Sequence, residues 1–222
     1  MRSYAIGRRC DNVLITRLTA EMDKQRDVLV NTLKEHPVIE DAAFSFVPAV
    51  ATAGLQLGRE YEGNEILFRS MPVSPNFLSV MGIKITDGRD FIRDDESKEA
   101  GSYIFNTKAR QAFALELGHT VGGYNNTQAE IIGLSEDFNV RPLHYQIEPF
   151  AFYIWVNENK WGPMLNAYIK VTNRDVESAR DHIMATLSKV DPAGASLATV
   201  EPLNETLGTL YNKESNLASL VT

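Results

Sequence analysis

The sequence predicts an α+β fold in which two strand–helix–strand units share one sheet and flank an inserted, smaller α/β region. Three observations carry this. Residues 12–47 and 166–200 each read as a strand, a crossover helix and a strand, and such units favour a common sheet with helices on one face. The middle, about 85–157, holds short strands and helices of its own between turn signals, enough for a separate small core. The composition, 44% hydrophobic and 23% charged over 222 residues, is that of a folded chain long enough for one large or two small domains.

Taken in order, residues 12–18 are rich in branched side chains and read as a strand. Thr19 is the expected N-cap of a helix over 20–36, with Met22, Arg26, Leu29 and Leu33 at helical spacing and Pro37 as its stop. Residues 39–47 form the second strand. The Ala-, Gly- and Thr-rich stretch 48–63 reads as a loop or weak hairpin, and 65–73 as a strand. Ser74 and Pro75 open a short helix, Ser74 as N-cap, with Phe77, Leu78 and Met81 buried and Gly82 as a left-handed cap. A short strand over 83–85 leads to the Asp87-Gly88 turn, and 90–100 is charged and expected in solvent. After a strand at 102–105, Asn106 caps a helix with Ala109, Ala112, Phe113 and Leu117 on one face, closed by Gly118. Strands follow at 129–134 and 150–156, the second apolar on both faces and so expected centrally. Residues 166–171 form a strand, and Asn173 caps a helix whose stripe is Val176, Ala179, Ile183, Leu187 and Val190, ended by Asp191-Pro192. A strand over 196–200 and a final helix from Leu203 complete the pattern.

Bulk properties exclude several functions. A net charge of −7 disfavours nucleic acid and anionic membrane surfaces. The single cysteine, Cys10, forbids an intrachain disulfide and suits a reducing cytosol or a bacterial periplasm equally. No run reaches the roughly 18–20 apolar residues of a membrane helix, and no signal peptide precedes the first strand. His36, His119, His144 and His182 lack the spacing of a metal motif. Asp94-Asp95-Glu96 lacks the alternating ligands of a calcium loop and reads as a solvated face. Gly118 to Gly123 has no Gly-Lys-Ser/Thr ending and precedes a strand, so it reads as a turn, not a phosphate loop. No Gly-x-Ser-x-Gly occurs, and the sequons at Asn125 and Asn204 read as chance. Neither a catalytic centre nor a metal or cofactor site is expected, which leaves an unrelated α/β enzyme without a sequence nucleus.

The distinctive residues are structural in type. They are Ser74-Pro75-Asn76-Phe77-Leu78, Met81-Gly82-Ile83, Gly88-Arg89-Asp90-Phe91, Asn106 after Ile104-Phe105, and Gly133 with Asp137-Phe138. Arg89 can clamp a ligand carboxylate, although an internal Arg–carboxylate pair in a glycine turn is the commoner use. Pro149-Phe150 opens the next strand. Trp155 reads as core, and Trp161, beside Gly162-Pro163, as an exposed hinge residue that contacts a partner.

In order and spacing these segments resemble the extracytoplasmic core domain of MacB/FtsX-type ABC transporter permeases over nearly the whole chain. The resemblance implies a porter-like βαβ subdomain, 1–82 plus 163–222, with an inserted Sabre-like subdomain, 83–162. It makes Pro75, Phe77, Gly82, Gly88, Arg89, Phe91, Asn106, Gly133, Asp137 and Phe138 family-motif positions of structural role. It implies a periplasmic domain without chemistry or cofactor, lying between two membrane helices of a bacterial inner-membrane permease. Residues 211–222 then correspond to the linker helix before the second span. Implied partners are a cytoplasmic ABC ATPase, a second permease copy and periplasmic or outer-membrane proteins. The alternative is a sensor that captures a peptide or lipid in the cleft between the halves.

Overall fold

The computed structural model describes residues 12–49, 54–122, 127–138, 146–154, 162–172 and 175–209. The elements run β1 (Val13–Arg17), α1 (Ala20–Lys24), α2 (Arg26–Leu33), β2 (Ile39–Ser45), β3 (Leu55–Tyr61), β4 (Asn64–Val73), α3 (Phe77–Val80) and β5 (Ile85–Gly88). A 3-10 turn, Arg93–Ser97, precedes β6 (Ser102–Asn106), α4 (Thr107–Phe113), β7 (Thr120–Gly122), β8 (Gln128–Ser135) and β9 (Phe150–Ile154). Then come β10 (Asn166–Val171), α5 (Val176–Val190), α6 (Pro192–Ala195), β11 (Glu201–Pro202) and a helical segment over 203–209.

Among the described residues all eleven strands join one mixed sheet, in the order β11-β1-β10-β2-β4-β9-β6-β8-β5, with β3 on β4 and β7 on β8. The sheet has two halves joined at a narrow neck. In the first, β1 is antiparallel to both β10 and β11, and β10 to β2. Each strand–helix–strand unit is therefore split, its two strands parallel with one strand of the other unit between them. Helices α1, α2 and α5 cover one face through Leu14, Met22, Leu29, Leu33, Phe44, Ile169, Ile183 and Leu187. Both units thus take the shared sheet and single helical face that the sequence expects.

The second half is parallel from β4 to β9 and from β6 to β8, and antiparallel between β9 and β6. It curls. At Gly122 in β7 an added Cβ would lie 3.4 Å from the backbone nitrogen of Glu60 in β3, so the two ends of the curl nearly meet. Tyr61, Ile66, Phe68, Tyr103, Phe105, Val121, Ile131 and Leu134 fill its interior. The neck is a single residue pair, Ser45 with Val73, between β2 and β4. As expected, β9 is central.

Several local expectations are corrected. The helix expected over 20–36 is two helices broken at Gln25 (φ −105°, ψ 24°), a tightening that turns Arg26 back on Asp23 at 3.2 Å. Of the two readings of 48–63, loop or weak hairpin, the hairpin holds from Leu55: β3 pairs with β4 over seven residues, and Glu62 and Gly63, with φ of 49° and 78°, make the two-residue turn whose twist suits it. The short strand lies at Ile85–Gly88, not 83–85. Helix α4 stops a turn before Gly118 because Ala114 takes the left-handed conformation, φ 53°, and Leu115 turns inward. Asp175, not Asn173, caps α5: its side chain accepts from the Ser178 N–H. Asn173 lies outside the described residues. Asp191 ends α5 as expected and also caps the short α6, and only Glu201–Pro202 pair as a strand where one over 196–200 is expected.

Candidate functional site

Of the residues singled out in the sequence, Phe77, Phe91 and Phe138 meet in one buried cluster at the junction between the halves. Helix α3 lies on the sheet face opposite α5. Ser74 does not cap it; Asn76 is the N-cap and makes no side-chain cap bond. The Ser74 hydroxyl instead accepts from the Phe44 N–H at 2.8 Å and donates to the Asn76 side-chain oxygen at 3.0 Å. The Asn76 amide reaches Asp41 and the Ala42 carbonyl, both at 2.8 Å. The short helix is thereby stitched to β2 by side chains. Gly82 ends it with φ 65°, as the sequence expects.

Phe77, 1% exposed, is the centre of the junction. Its ring meets Tyr168 of the first half edge-on at 5.2 Å between centroids and Phe152 of the second at 5.8 Å. Phe152 stacks on Phe138 at 4.9 Å, and Phe138 meets Phe150 edge-on at 4.9 Å. Phe91, Leu203 and Leu207 complete the same cluster. Aromatic pairs in these geometries add to simple area burial. The Tyr168 hydroxyl accepts from the Ala49 N–H at 2.7 Å and lies 3.1 Å from the Ser45 hydroxyl, which ties it to the neck. Burial pushes that hydroxyl's pKa up to about 12.

Gly88 and Gly133 interlock. A Cβ on Gly88 (φ 72°) would lie 2.5 Å from the Ile132 carbonyl, and one on Gly133 would collide with the Arg89 carbonyl. The Arg89 guanidinium turns to a carboxylate of its own chain. It makes a bidentate pair with Asp95, at 2.7 and 2.8 Å. Asp95 is the residue that sequence reasoning missed. The run read as solvated contains a carboxylate with no exposure at all, which also accepts from the Ile92 N–H at 2.9 Å and meets Lys98 at 3.0 Å. Burial alone would raise its pKa, but the Arg89, Ile92 and Lys98 hydrogen bonds outweigh it and hold the carboxyl well below the usual range. Nothing at sequence level separates Asp95 from Asp94, because the distinction is made by the turn geometry.

Asn106, 1% exposed, accepts from the Ala109 and Phe150 N–H groups, both at 2.9 Å, and donates to the Glu148 carbonyl at 3.0 Å. Asp137 accepts from the Lys108 N–H at 2.8 Å, a second acceptor on the first turn of α4. Pro75 is half-buried at the edge of a groove of about 870 Å³ between α1, α2, α3 and the 3-10 turn. The groove wall is mixed rather than apolar, with Phe44 and Ala42 beside Gln25, Asn31 and Ser97. Arg26 lies over the Phe44 ring at 5.5 Å, and an exposed Arg93–Asp27 pair at 2.9 Å joins the two banks. Trp161 and Trp155 lie outside the described residues. Among the described residues no group of three or more metal-ligating side chains converges.

This mixed α+β fold, a multi-stranded sheet with several helices, is that of MacB/FtsX-like extracytoplasmic permease domains. Among solved structures, the periplasmic region of MacB from Actinobacillus actinomycetemcomitans aligns with a TM-score of 0.63 and 13% identity, covering 90% of this chain and 92% of that one. A domain of a putative permease from Porphyromonas gingivalis gives 0.59 and 13%, with 88% and 92% covered. The extracellular domain of YknZ, a noncanonic ABC-type transporter from Gram-positive bacteria, gives 0.59 and 13%, with 85% and 99% covered. At such identity the likeness is one of fold. No protein-family model and no curated protein matches the chain by sequence. No helix among the described residues is long and apolar enough to cross a membrane.

Proposed function

We propose that the chain is the extracytoplasmic domain of a bacterial ABC permease that carries ATP-driven movement to cargo or partner proteins and performs no chemistry itself. The observation that carries this reading is the route from the chain's strand ends to the insert. Strand β1 starts beside the end of β11, with Leu14 opposite Pro202, so both connections leave the sheet side by side. That suits a domain held between two membrane helices. Leu203 and Leu207, just past β11, bury in the same cluster as Phe77 and Phe152. A pull on the segment after β11 therefore bears on the aromatic junction and, through it, on the curled half. The reading includes the division into a porter-like part, expected at 1–82 plus 163–222, and a Sabre-like part, expected at 83–162, although β3 and β4 (55–73) pair with the strands of the second half. It also includes the ABC ATPase and a second permease copy as partners.

The gene is the first test. It should encode an apolar span of about 20 residues on each side of the chain. The full-length protein should fractionate with the bacterial inner membrane and co-purify with an ABC ATPase whose hydrolysis responds to Phe77→Ala. A stop codon directly after Thr222 overturns the reading.

Capture of a peptide is the second reading, and the groove of about 870 Å³ favours it. Its mixed, ion-paired wall suits a polar peptide better than a lipid. Peptides that bind the chain and lose affinity in Arg26→Ala would support it; retained binding in that variant would remove the groove from consideration.

A further inference from the structure

On the sheet face opposite α5, the end of β1 carries two opposite charges beside a small apolar hollow. Ile15 and Arg17 alternate onto that face of β1. Tyr168 of β10 and Glu201 of β11 stand directly opposite Ile15, one on each side, and Asn166 of β10 stands opposite Arg17. Cross-strand neighbours share a face, so the five side chains project together. They line a hollow of about 170 Å³, with Pro48 as a further wall. The hollow shares no lining residue with the groove between α1, α2 and α3.

The hollow is pre-formed. The Asn166 amide donates to the Ser45 and Phe46 carbonyls, both at 3.1 Å, and the Ala49 N–H donates to the Tyr168 hydroxyl at 2.7 Å. Pro48 is held between these two anchors, so filling the hollow costs little ordering entropy. A cavity of roughly 150 Å³ admits benzene, so this one admits the four carbons of a leucine side chain. Arg17 and Glu201 are exposed and lie diagonally on neighbouring strands, about 7–8 Å apart at their Cβ atoms. Side chains of that length can meet across such a diagonal, yet neither enters an ion pair among the described residues. The Glu201 carboxylate is turned to the Thr206 hydroxyl, at 3.4 Å. The two charges bracket the hollow instead of cancelling.

We propose that this hollow binds a free α-amino acid with a leucine-sized apolar side chain. Arg17 takes the carboxylate, Glu201 takes the ammonium group, and the side chain enters between Ile15, Pro48 and the Tyr168 ring. An α-amino acid carries both charges on one carbon beside an apolar body, which is the pattern the walls and rim present. A ligand with one charge gains one rim residue and is repelled by the other, so the pair selects for a zwitterion. The rim is open to water, which keeps the affinity modest. The ligand lies against Tyr168, whose hydroxyl meets Ser45 and Ala49 at the neck, and ties β11 to β1 there. The inference stands on the hollow and its rim charges and does not require the transport reading.

The test is a chemical-shift titration of the chain with L-leucine, read at the Ile15 methyl groups and the Ala49 amide. L-leucine should bind with a Kd of about 1 mM or tighter. Isopentylamine, which lacks the carboxylate, and isocaproate, which lacks the ammonium group, should each bind about tenfold more weakly. Arg17→Gln should lower leucine affinity about tenfold and leave isopentylamine binding no weaker; Glu201→Gln should do the same for leucine and spare isocaproate. Both positions are exposed, so both variants keep the fold. No shift at these two probes up to about 10 mM leucine overturns the proposal. So does an analogue that binds as well as leucine, which would make the hollow a plain apolar or single-charge site, or leucine binding unchanged in either variant. None of these outcomes depends on ATP or cargo, so the transport reading is tested separately.

Discussion

The two halves of the sheet solve the same burial problem in different ways. The first lays helices across one face and fills the gap with mainly aliphatic side chains, Leu29, Leu33, Ile183 and Leu187 among them. The second has one short helix, α4, and closes its strands around rings instead: Phe68 lies 5.0 Å from Phe105, and Tyr103 4.7 Å from Tyr153. A helical layer tolerates sliding of one element on another, whereas a curled sheet filled with interlocked rings moves as one piece. The neck between them is one strand pair, so the junction depends on side chains, above all Phe77.

Removing that ring is the sharpest way to break the comparison. Phe77→Ala should cost about 3–5 kcal/mol and split urea unfolding into two transitions as the halves uncouple. A single transition with a small loss would mean that the neck suffices. Asp95→Asn comes next, at about 2–3 kcal/mol, because a buried acceptor of charged hydrogen bonds is replaced. This group also sets an acid limit. Its folded pKa is depressed, so its stabilisation is complete above the unfolded value near about 3.9 and is lost as pH falls below it. Acid titration of wild type against Asp95→Asn should show this slope only in the wild type. Asn106→Ala should cost about 1–2 kcal/mol by freeing two buried N–H groups, read as a lowered melting temperature of the second half. Tyr168→Phe should cost about 1 kcal/mol by stranding the Ala49 N–H. Its pH effect has the opposite sign: with the hydroxyl pushed up to about 12, its contribution is complete below about pH 10 and is lost as pH rises towards that value.

The first half was legible because its strands and helices carry their own periods. The α5 stripe of Ala179, Ile183 and Leu187 is buried as its spacing predicts. So were the left-handed Gly82 and the capping Asn106. What escaped was set by partners distant in sequence. Residues 48–63 read as loop or weak hairpin, and pairing with β4 decides for the hairpin over Leu55–Tyr61. Asp95 became internal because Arg89 and the Ile92 N–H fold around it. Phe77 was expected to be buried, but its bridge between Tyr168 and Phe152 joins residues 75 or more positions away.

The margins of the sheet bear on how crowded copies of this domain behave. On one side the last strand is two residues long, and the second of them, Pro202, has no N–H to offer. On the other side β5 is four residues long, with Asp87 and Gly88 at its end. Neither border can template a strand from a neighbouring chain, because each is too short, and proline and a charge interrupt the hydrogen-bonding row. A sheet of this breadth would otherwise invite edge-to-edge growth. With these two borders blunted, the ends of the β11-to-β5 path do not grow edge to edge.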